Sequence, residues 1–296
     1  MDADELASYR EAGKIAVKVR EETKSLVKTG AKILEVAEAI ESRILGQGAG
    51  LAFPVNICIN DVTAHYTPKI GDETTLSDKD VVSVDLGVHV DGFIADTAYT
   101  MDLSGEYGKM LEANETALSE SIKLVKPGLS VSRIGETVQN ILQEAGFKPI
   151  ENLTGHEVQQ YDLHAGLSVP NIKVPYDWII EEDMVLALEP FATDGYGRVV
   201  ESRKPEIYSV VNPKPIRLRE ARVILKEVED REGLPFAERW LAGKIGPLKI
   251  GLAFKELVSK DILKPYPPLH EVKNGRVSQF EHTIIVTSDG CEVTTR

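Results

Sequence analysis

Two stretches of this chain are near copies of one another. Leu26-Val27-Lys28-Thr29-Gly30 returns as Leu124-Val125-Lys126-Pro127-Gly128, and the same offset of 98 carries Val36, Glu38, Ile40 and Gly48 onto Ile134, Glu136, Val138 and Gly146. Each copy reads as a loop, a helix and a glycine stop. In the second copy Val131, Ile134, Val138, Ile141, Leu142 and Ala145 recur at helical spacing, and Gly146 is placed to end the helix. A period this long, present twice, describes a duplicated half with pseudo-twofold symmetry, because a solenoid needs several short repeats. A functional site is expected between the halves.

Strand signals follow each repeated helix. Residues 81–90 and 93–103 are rich in β-branched side chains and flank Asp91-Gly92, a strong hairpin signal because both turn residues tolerate positive φ. In the second half, residues 184–191 read as one buried strand and residues 281–286 as the last. Residues 206–265 have no counterpart in the first half and carry helical patterning with Pro and Gly breaks, which predicts a helical insertion subdomain. The expected organisation is therefore one main domain of helices and strands, residues 1–205 and 266–296, interrupted by that insertion.

Composition narrows the class. With 296 residues, 42% hydrophobic and 27% charged, the chain can build a large soluble core. No apolar run approaches the ~20 residues needed to span a bilayer, and MDADELASYR lacks the basic start and apolar segment of a signal peptide, so a cytoplasmic protein without a membrane partner is expected. Cys58 and Cys291 are too few for a disulfide framework. A formal charge of -13 disfavours DNA and general nucleic-acid binding. Between Lys214 and Lys249, however, nine basic residues outnumber six acidic ones; a solvated helical face is the plainer explanation.

With the hairpin turn at Asp91-Gly92, Val90 pairs with Phe93 and Asp85 opposes Ala98. Asp96, two residues from Ala98, then shares a face with Asp85 as its diagonal neighbour, ~7 Å away between backbones. Two such carboxylates are either solvent-exposed or separated by a cation; the flanking Val82, Val84, Val88, Ile94 and Ala95 suggest a covered sheet and favour the cation. Glu189 in LALEPF and Glu281 in QFEH interrupt apolar strand sequence, where an unpaired carboxylate is costly to bury. Singly, each is more often an edge or ion-pair residue. Together with His156 in Thr154-Gly155-His156, these residues form an oxygen-rich, nitrogen-poor set suited to two hard or borderline divalent metals. His65 and His164 stand 99 residues apart, nearly the repeat offset, and so occupy near-equivalent places in the halves. As a facing pair beside a metal site they could donate to a developing oxyanion or a leaving amine.

The blocks Phe53-Pro54 to Ala64-His65-Tyr66-Thr67-Pro68, Asp85-Leu86-Gly87-Val88 with Asp91-Gly92-Phe93-Ile94-Ala95-Asp96, Gly155-His156, His164-Ala165-Gly166, Glu189-Pro190-Phe191 and Gln279-Phe280-Glu281-His282-Thr283 resemble the signatures of type II methionine aminopeptidases. The match runs through almost the whole chain, and all five expected ligands and both histidines occur in order. The insertion is similar to the helical subdomain that separates type II from type I enzymes, and Tyr266-Pro267-Pro268-Leu269 looks like its exit. The missing charged N-terminal extension resembles archaeal more than eukaryotic members. The sequence departs from the commonest pattern at Cys58, where Ser is frequent, and at Thr63, where Ala is frequent, both outside the ligand set.

That resemblance implies an α+β pita-bread fold for the catalytic domain of residues 1–205 and 266–296, with an antiparallel sheet, helices behind it and a concave metal site. It implies two divalent ions (Co, Mn, Fe, Zn or Ni), one chelated by Asp85, the other by His156 and Glu189, and both bridged by Asp96 and Glu281. Phe53 and Leu163 would line the methionine pocket, with Tyr266, His65 and His164 completing the substrate contacts. The implied reaction is removal of initiator methionine from nascent chains with a small second residue by a dinuclear-metal-activated hydroxide, with Glu189 as base and His65 and His164 catalytic. A monomer, with transient ribosome docking through the basic insertion, fits this reading. Two rivals share the fold: prolidase or aminopeptidase P, which usually carries an N-terminal domain for which the residues before His65 leave no room, and non-catalytic RNA- or protein-binding relatives, which lose metal ligands.

Overall fold

A computed structural model describes residues 1–201 and 204–296. The repeat is visible at once in the backbone. In the first half, helix α1 (Ala3–Thr23) and helix α2 (Ile33–Gly46) precede strands β1 (Asn56–Ile59), β2 (Val81–Val90) and β3 (Phe93–Asp102). In the second, helices α3 (Gly108–Leu124) and α4 (Val131–Glu144) precede strands β4 (Thr154–Glu157), β5 (Val185–Leu188) and β6 (Phe191–Thr193). The glycine pairs of the repeat keep one conformation: Gly30 and Gly128 have φ +86° and +87°, and Gly48 and Gly146 have +81° and +89°. Only glycine adopts that region without strain, so the repeated glycines punctuate both copies alike.

After β6 the chain enters strand β7 (Ile207–Val210), helices α5 (Arg219–Glu227) and α6 (Pro247–Ser259), and strand β8 (Leu263–Tyr266). It closes through β9 (Val277–Gln279), β10 (His282–Val286) and a last short strand, Cys291–Val293. The expected single strand over 184–191 is two strands, because Pro190 has no N–H to donate and breaks the ladder; Glu189 stands at the break. The strand expected from residue 281 begins at His282, and Cys291–Val293 follows it, pairing with β10.

β2 and β3 form a ten-residue hairpin, with Val90 opposite Phe93 and Asp85 opposite Ala98 as the turn chemistry demands. Asp91 and Gly92 both have positive φ, 51° and 86°. β1 pairs with the other edge of β2, setting Asn56 against Asp85. A five-stranded sheet of the second half includes β10, β5 and β4. The two sheets meet along β3, where hydroxyls do the joining. Thr283 Oγ1 accepts from Asp96 N at 2.7 Å and donates to Asp96 O at 2.8 Å, and Thr97 Oγ1 donates to Glu281 O at 2.9 Å. Thr100 Oγ1 accepts from Gln279 N and donates to Gln279 O, and Glu281 N donates to Ala98 O. α1 lies behind the hairpin, burying Ala12, Ile15, Ala16 and Val19, and Asp2 with Glu5 forms a capping box at its start.

Residues 206–265 own a separate apolar cluster, with Tyr208, Phe236 and Phe254 packed ring against ring and Ala221, Ile224 and Leu257 around them. Besides the expected helices it carries strands: β7 and β8 are antiparallel, Ile207 opposite Tyr266, so the segment leaves and re-enters the sheet framework on adjacent strands. Among the described residues no helix is long and apolar enough to cross a membrane. Both cysteines are free.

Candidate active site

One cavity of about 230 Å³ collects every site residue named from the sequence: Asp85, Asp96, His156, Glu189 and Glu281 on its floor, and Phe53, His65, Leu163, His164 and Tyr266 around its rim. Asp85 on β2 and Asp96 on β3 come from the hairpin, His156 from β4, Glu189 from the break after β5, and Glu281 from the residue before β10. Ligand atoms of Asp96, His156 and Glu281 all lie within 4.8 Å of one another. His156 Nε2 is 3.4 Å from Glu189 Oε1 and 3.8 Å from Asp96 Oδ2. Gln279 Nε2 lies 3.3 Å from Asp85 Oδ2 and 3.4 Å from both Glu189 Oε2 and Glu281 Oε2, so one amide gathers three carboxylates.

The electrostatics are those of a site short of positive charge. Among the described residues, no Lys or Arg lines the cavity. Burial, opposed by donors including Gln279 and Asn56, pushes the Asp85 carboxyl up to about 6. Burial, reinforced by the neighbouring carboxylates, raises Asp96 and Glu281 further, and burial with the Asp85 charge raises Glu189. Asp85 Oδ1, Asp96 Oδ1 and Glu281 Oε1 are buried without any hydrogen-bond donor among the described residues. Buried anionic oxygens without partners are costly, and divalent cations are the groups that this donor set fits.

The rim is uncharged. Burial holds His65 and His156 down to about 4, so both imidazoles are neutral at pH 7. His164 is shifted in the same direction by burial and by its neighbours His156 and His65. His65 has φ +61°, a rare conformation for a residue with a Cβ, and such local strain gathers at functional sites. Tyr266 meets the His65 ring edge-on at 5.6 Å and the His164 ring stacked at 6.4 Å between centroids.

Sequence reasoning missed Gln279, Asn56 and the insertion's Pro235, all of which line the cavity. It also counted Arg231 and Arg239 within a solvated basic face, and the fold turns both inward. Arg239 is buried, paired with Glu41 of α2, and donates to Thr67 Oγ1 at 2.5 Å and Pro68 O at 3.3 Å. Glu41 also accepts from Val55 N at 3.1 Å and from Trp240 Nε1 at 3.0 Å. Arg231 donates to Leu51 O at 2.8 Å and Pro235 O at 2.6 Å, with its guanidinium 5.0 Å from the Trp240 ring. These arginines staple the insertion to the segments that carry Phe53 and His65. A signal was available: Glu41 falls four residues after Ala37 on the apolar stripe of α2 that also holds Ile40 and Ile44.

A pita-bread fold around a buried Asp/His/Glu cluster defines a metallopeptidase, and the sequence agrees. The profile of Metallopeptidase family M24 matches residues 7–288, and the chain belongs to that family. Within it the chain stands with the methionine aminopeptidases: it is 46% identical over 297 residues to the methionine aminopeptidase of Pyrococcus horikoshii, covering 100% of both chains. Among solved structures, the methionine aminopeptidase of Thermotoga maritima superposes with a TM-score of 0.73 at 21% identity, covering 100% of this chain and 98% of that one. A thermophilic Arx1 superposes with a TM-score of 0.85 at 17% identity, covering 99% and 91%. These two likenesses speak for the fold.

Proposed function

We propose that this protein removes the N-terminal methionine from polypeptides whose second residue is small. The observation that carries the reading is the convergence of four carboxylates and His156 on one floor, with three buried carboxylate oxygens lacking any donor among the described residues. In this reading two divalent ions, drawn from Co, Mn, Fe, Zn or Ni, would be held by Asp85, His156 and Glu189 together with Asp96 and Glu281, the two carboxylates that would serve both ions. When bound, the ions supply Lewis acidity and a water of lowered pKa. Glu189 takes the proton from the attacking water and passes it toward the leaving nitrogen. The neutral imidazoles of His164 and His65 donate to the oxygen that gains charge at the scissile carbonyl. Phe53, Leu163 and Tyr266 receive the methionine side chain and leave room for only a small second residue.

Residues 206–265 act in this proposal as the insertion subdomain of the type II enzymes. The exposed Lys214, Arg217, Arg219, Arg222 and Lys226 have no carboxylate at ion-pair distance among the described residues, and they are the surface by which a monomer, working in the cytoplasm, would dock transiently on ribosomal RNA. The deciding experiment is turnover of peptides beginning Met-Ala, Met-Leu and Ala-Pro, before and after chelation and metal return. Cleavage of Met-Ala alone, lost on chelation and restored by metal, is expected. Cleavage of Ala-Pro alone would mean a prolidase-like enzyme, and no cleavage with full metal content would mean a binding module.

A further inference from the structure

Tyr266 belongs to two cavities. Besides the site, it lines a neighbouring space of about 290 Å³, and Leu163, His164 and Pro235 are common to both. The walls that are not shared come from Tyr161 and Asp162 on one segment and from Ser209, Val211 and Gly233 of the insertion. The two spaces therefore adjoin, and the second lies between the 161–164 loop and the insertion.

Lys264 also lines that second cavity. It precedes Tyr266 by two residues on β8 and so shares its face, with Nζ 4.9 Å from the Tyr266 ring centroid. Its ammonium is exposed, and among the described residues no carboxylate lies within 4.0 Å of it. Asp162 is the acidic residue on the facing wall, and its Oδ1 already accepts from His164 N at 3.2 Å. One lysine, held over the Tyr266 ring but without an acidic partner among the described residues, thus stands beside a site whose floor carries four carboxylates.

An extended polypeptide advances ~3.3–3.6 Å per residue. A chain whose first side chain fills the hole beside Phe53 carries its third and fourth residues ~7–10 Å onward, and the cavity that adjoins the site at Tyr266 offers a place for them. We propose that the second cavity is a subsite for the third and fourth substrate residues, in which Lys264 favours acidic side chains and repels basic ones. The proposal rests on the removal of N-terminal methionine argued above. Charge selection at such an open position acts on encounter and loose binding more than on chemistry, so it belongs in kcat/KM and should fade with salt.

The test uses C-terminally amidated tetrapeptides, so that no terminal carboxylate competes: Met-Ala-Ala-Ala, Met-Ala-Asp-Ala, Met-Ala-Ala-Asp, Met-Ala-Lys-Ala and Met-Ala-Ala-Lys. At low salt the metal-loaded wild type should cleave the better acidic peptide about 5-fold faster in kcat/KM than its basic partner, the size expected of an exposed charge pair. The ratio should approach one at high salt, level out in Lys264→Ala and invert in Lys264→Glu. The neutral peptide should stay within about 2-fold in all three proteins. No acidic preference in the wild type, or a preference unchanged in Lys264→Glu, overturns the subsite while leaving methionine removal intact. Failure of the wild type to cleave even the neutral peptide overturns the methionine reading, and the subsite falls with it.

Discussion

The floor and the rim of the cavity are built by different means. Floor residues sit on or beside strands whose register is fixed by backbone pairing and by the threonine hydroxyls of the seam. Rim residues come from separate segments: Phe53 and His65 before β2, Leu163 and His164 after β4, Pro235 within the insertion and Tyr266 at its exit. What ties the insertion's part of the rim to the segments carrying Phe53 and His65 is side chains, above all the buried Arg239–Glu41 pair and the Arg231 contacts to the backbone. In the proposed reading, chemistry that needs fixed spacing thus rests on the ladder, and selection rests partly on a clamp that can be altered one side chain at a time.

The sharpest way to break this contrast is to strike each layer in turn. Glu281→Gln or Asp96→Asn should lower kcat/KM by about 1000-fold, ~4 kcal/mol of transition-state stabilisation, in a folded protein with reduced metal content. Retention of more than about a tenth of the activity at saturating metal would remove the shared-ligand role. In the rim, Arg239→Met leaves Glu41 buried without its partner and should cost about 3 kcal/mol in denaturant unfolding, much of it recovered by adding Glu41→Leu. A loss below ~1 kcal/mol would mean that the staple does not hold the insertion.

Proton linkage separates the layers more gently. The floor carboxyls have folded pKa values above their ordinary range, Asp85 at about 6, with burial and neighbouring carboxylates raising Asp96, Glu189 and Glu281 as well. A carboxyl raised in the fold contributes most below its unfolded pKa of ~4 and loses that contribution as pH rises through the folded value. Metal-stripped protein should accordingly gain thermal stability as pH is lowered from 8 toward 6.5, above the range in which the depressed His65, His156 and His164 begin to oppose it. Loaded protein should lose stability over the same window, because protons and cations compete for the same oxygens. Parallel melting curves for the two forms would contradict the assignment. The smallest effect concerns the insertion's outer face: replacing Arg217, Arg219 and Arg222 together by Glu should leave peptide turnover within about 2-fold yet abolish salt-sensitive co-sedimentation with ribosomes. Unchanged co-sedimentation would exclude docking through this face.

What could be read from the sequence follows the same division. Asp91-Gly92 specifies a turn, the turn specifies a register, and the register places Asp85 and Asp96 on one face; each step is local, and the hairpin has that pairing. Glu189 and Glu281 stood out because carboxylates interrupt apolar sequence, although the strand break at Pro190 was not foreseen. Gln279 went unmarked because a neutral amide leaves no anomaly in a polar-apolar pattern. Arg231 and Arg239 were misplaced because local charge counting cannot tell which way a side chain points once a second apolar cluster forms around it.

The threonine seam has a kinetic meaning. The hairpin of β2 and β3 closes through contacts a few residues apart, but the bonds between Asp96 and Thr283 span 187 positions of chain. Contacts of such separation must await the ordering of most of the intervening polypeptide, so the seam belongs to the last stages of folding. Glu281 reaches Asp96 only then. A cation that needs both residues cannot guide the early chain, and its presence should slow unfolding while leaving the folding rate nearly unchanged.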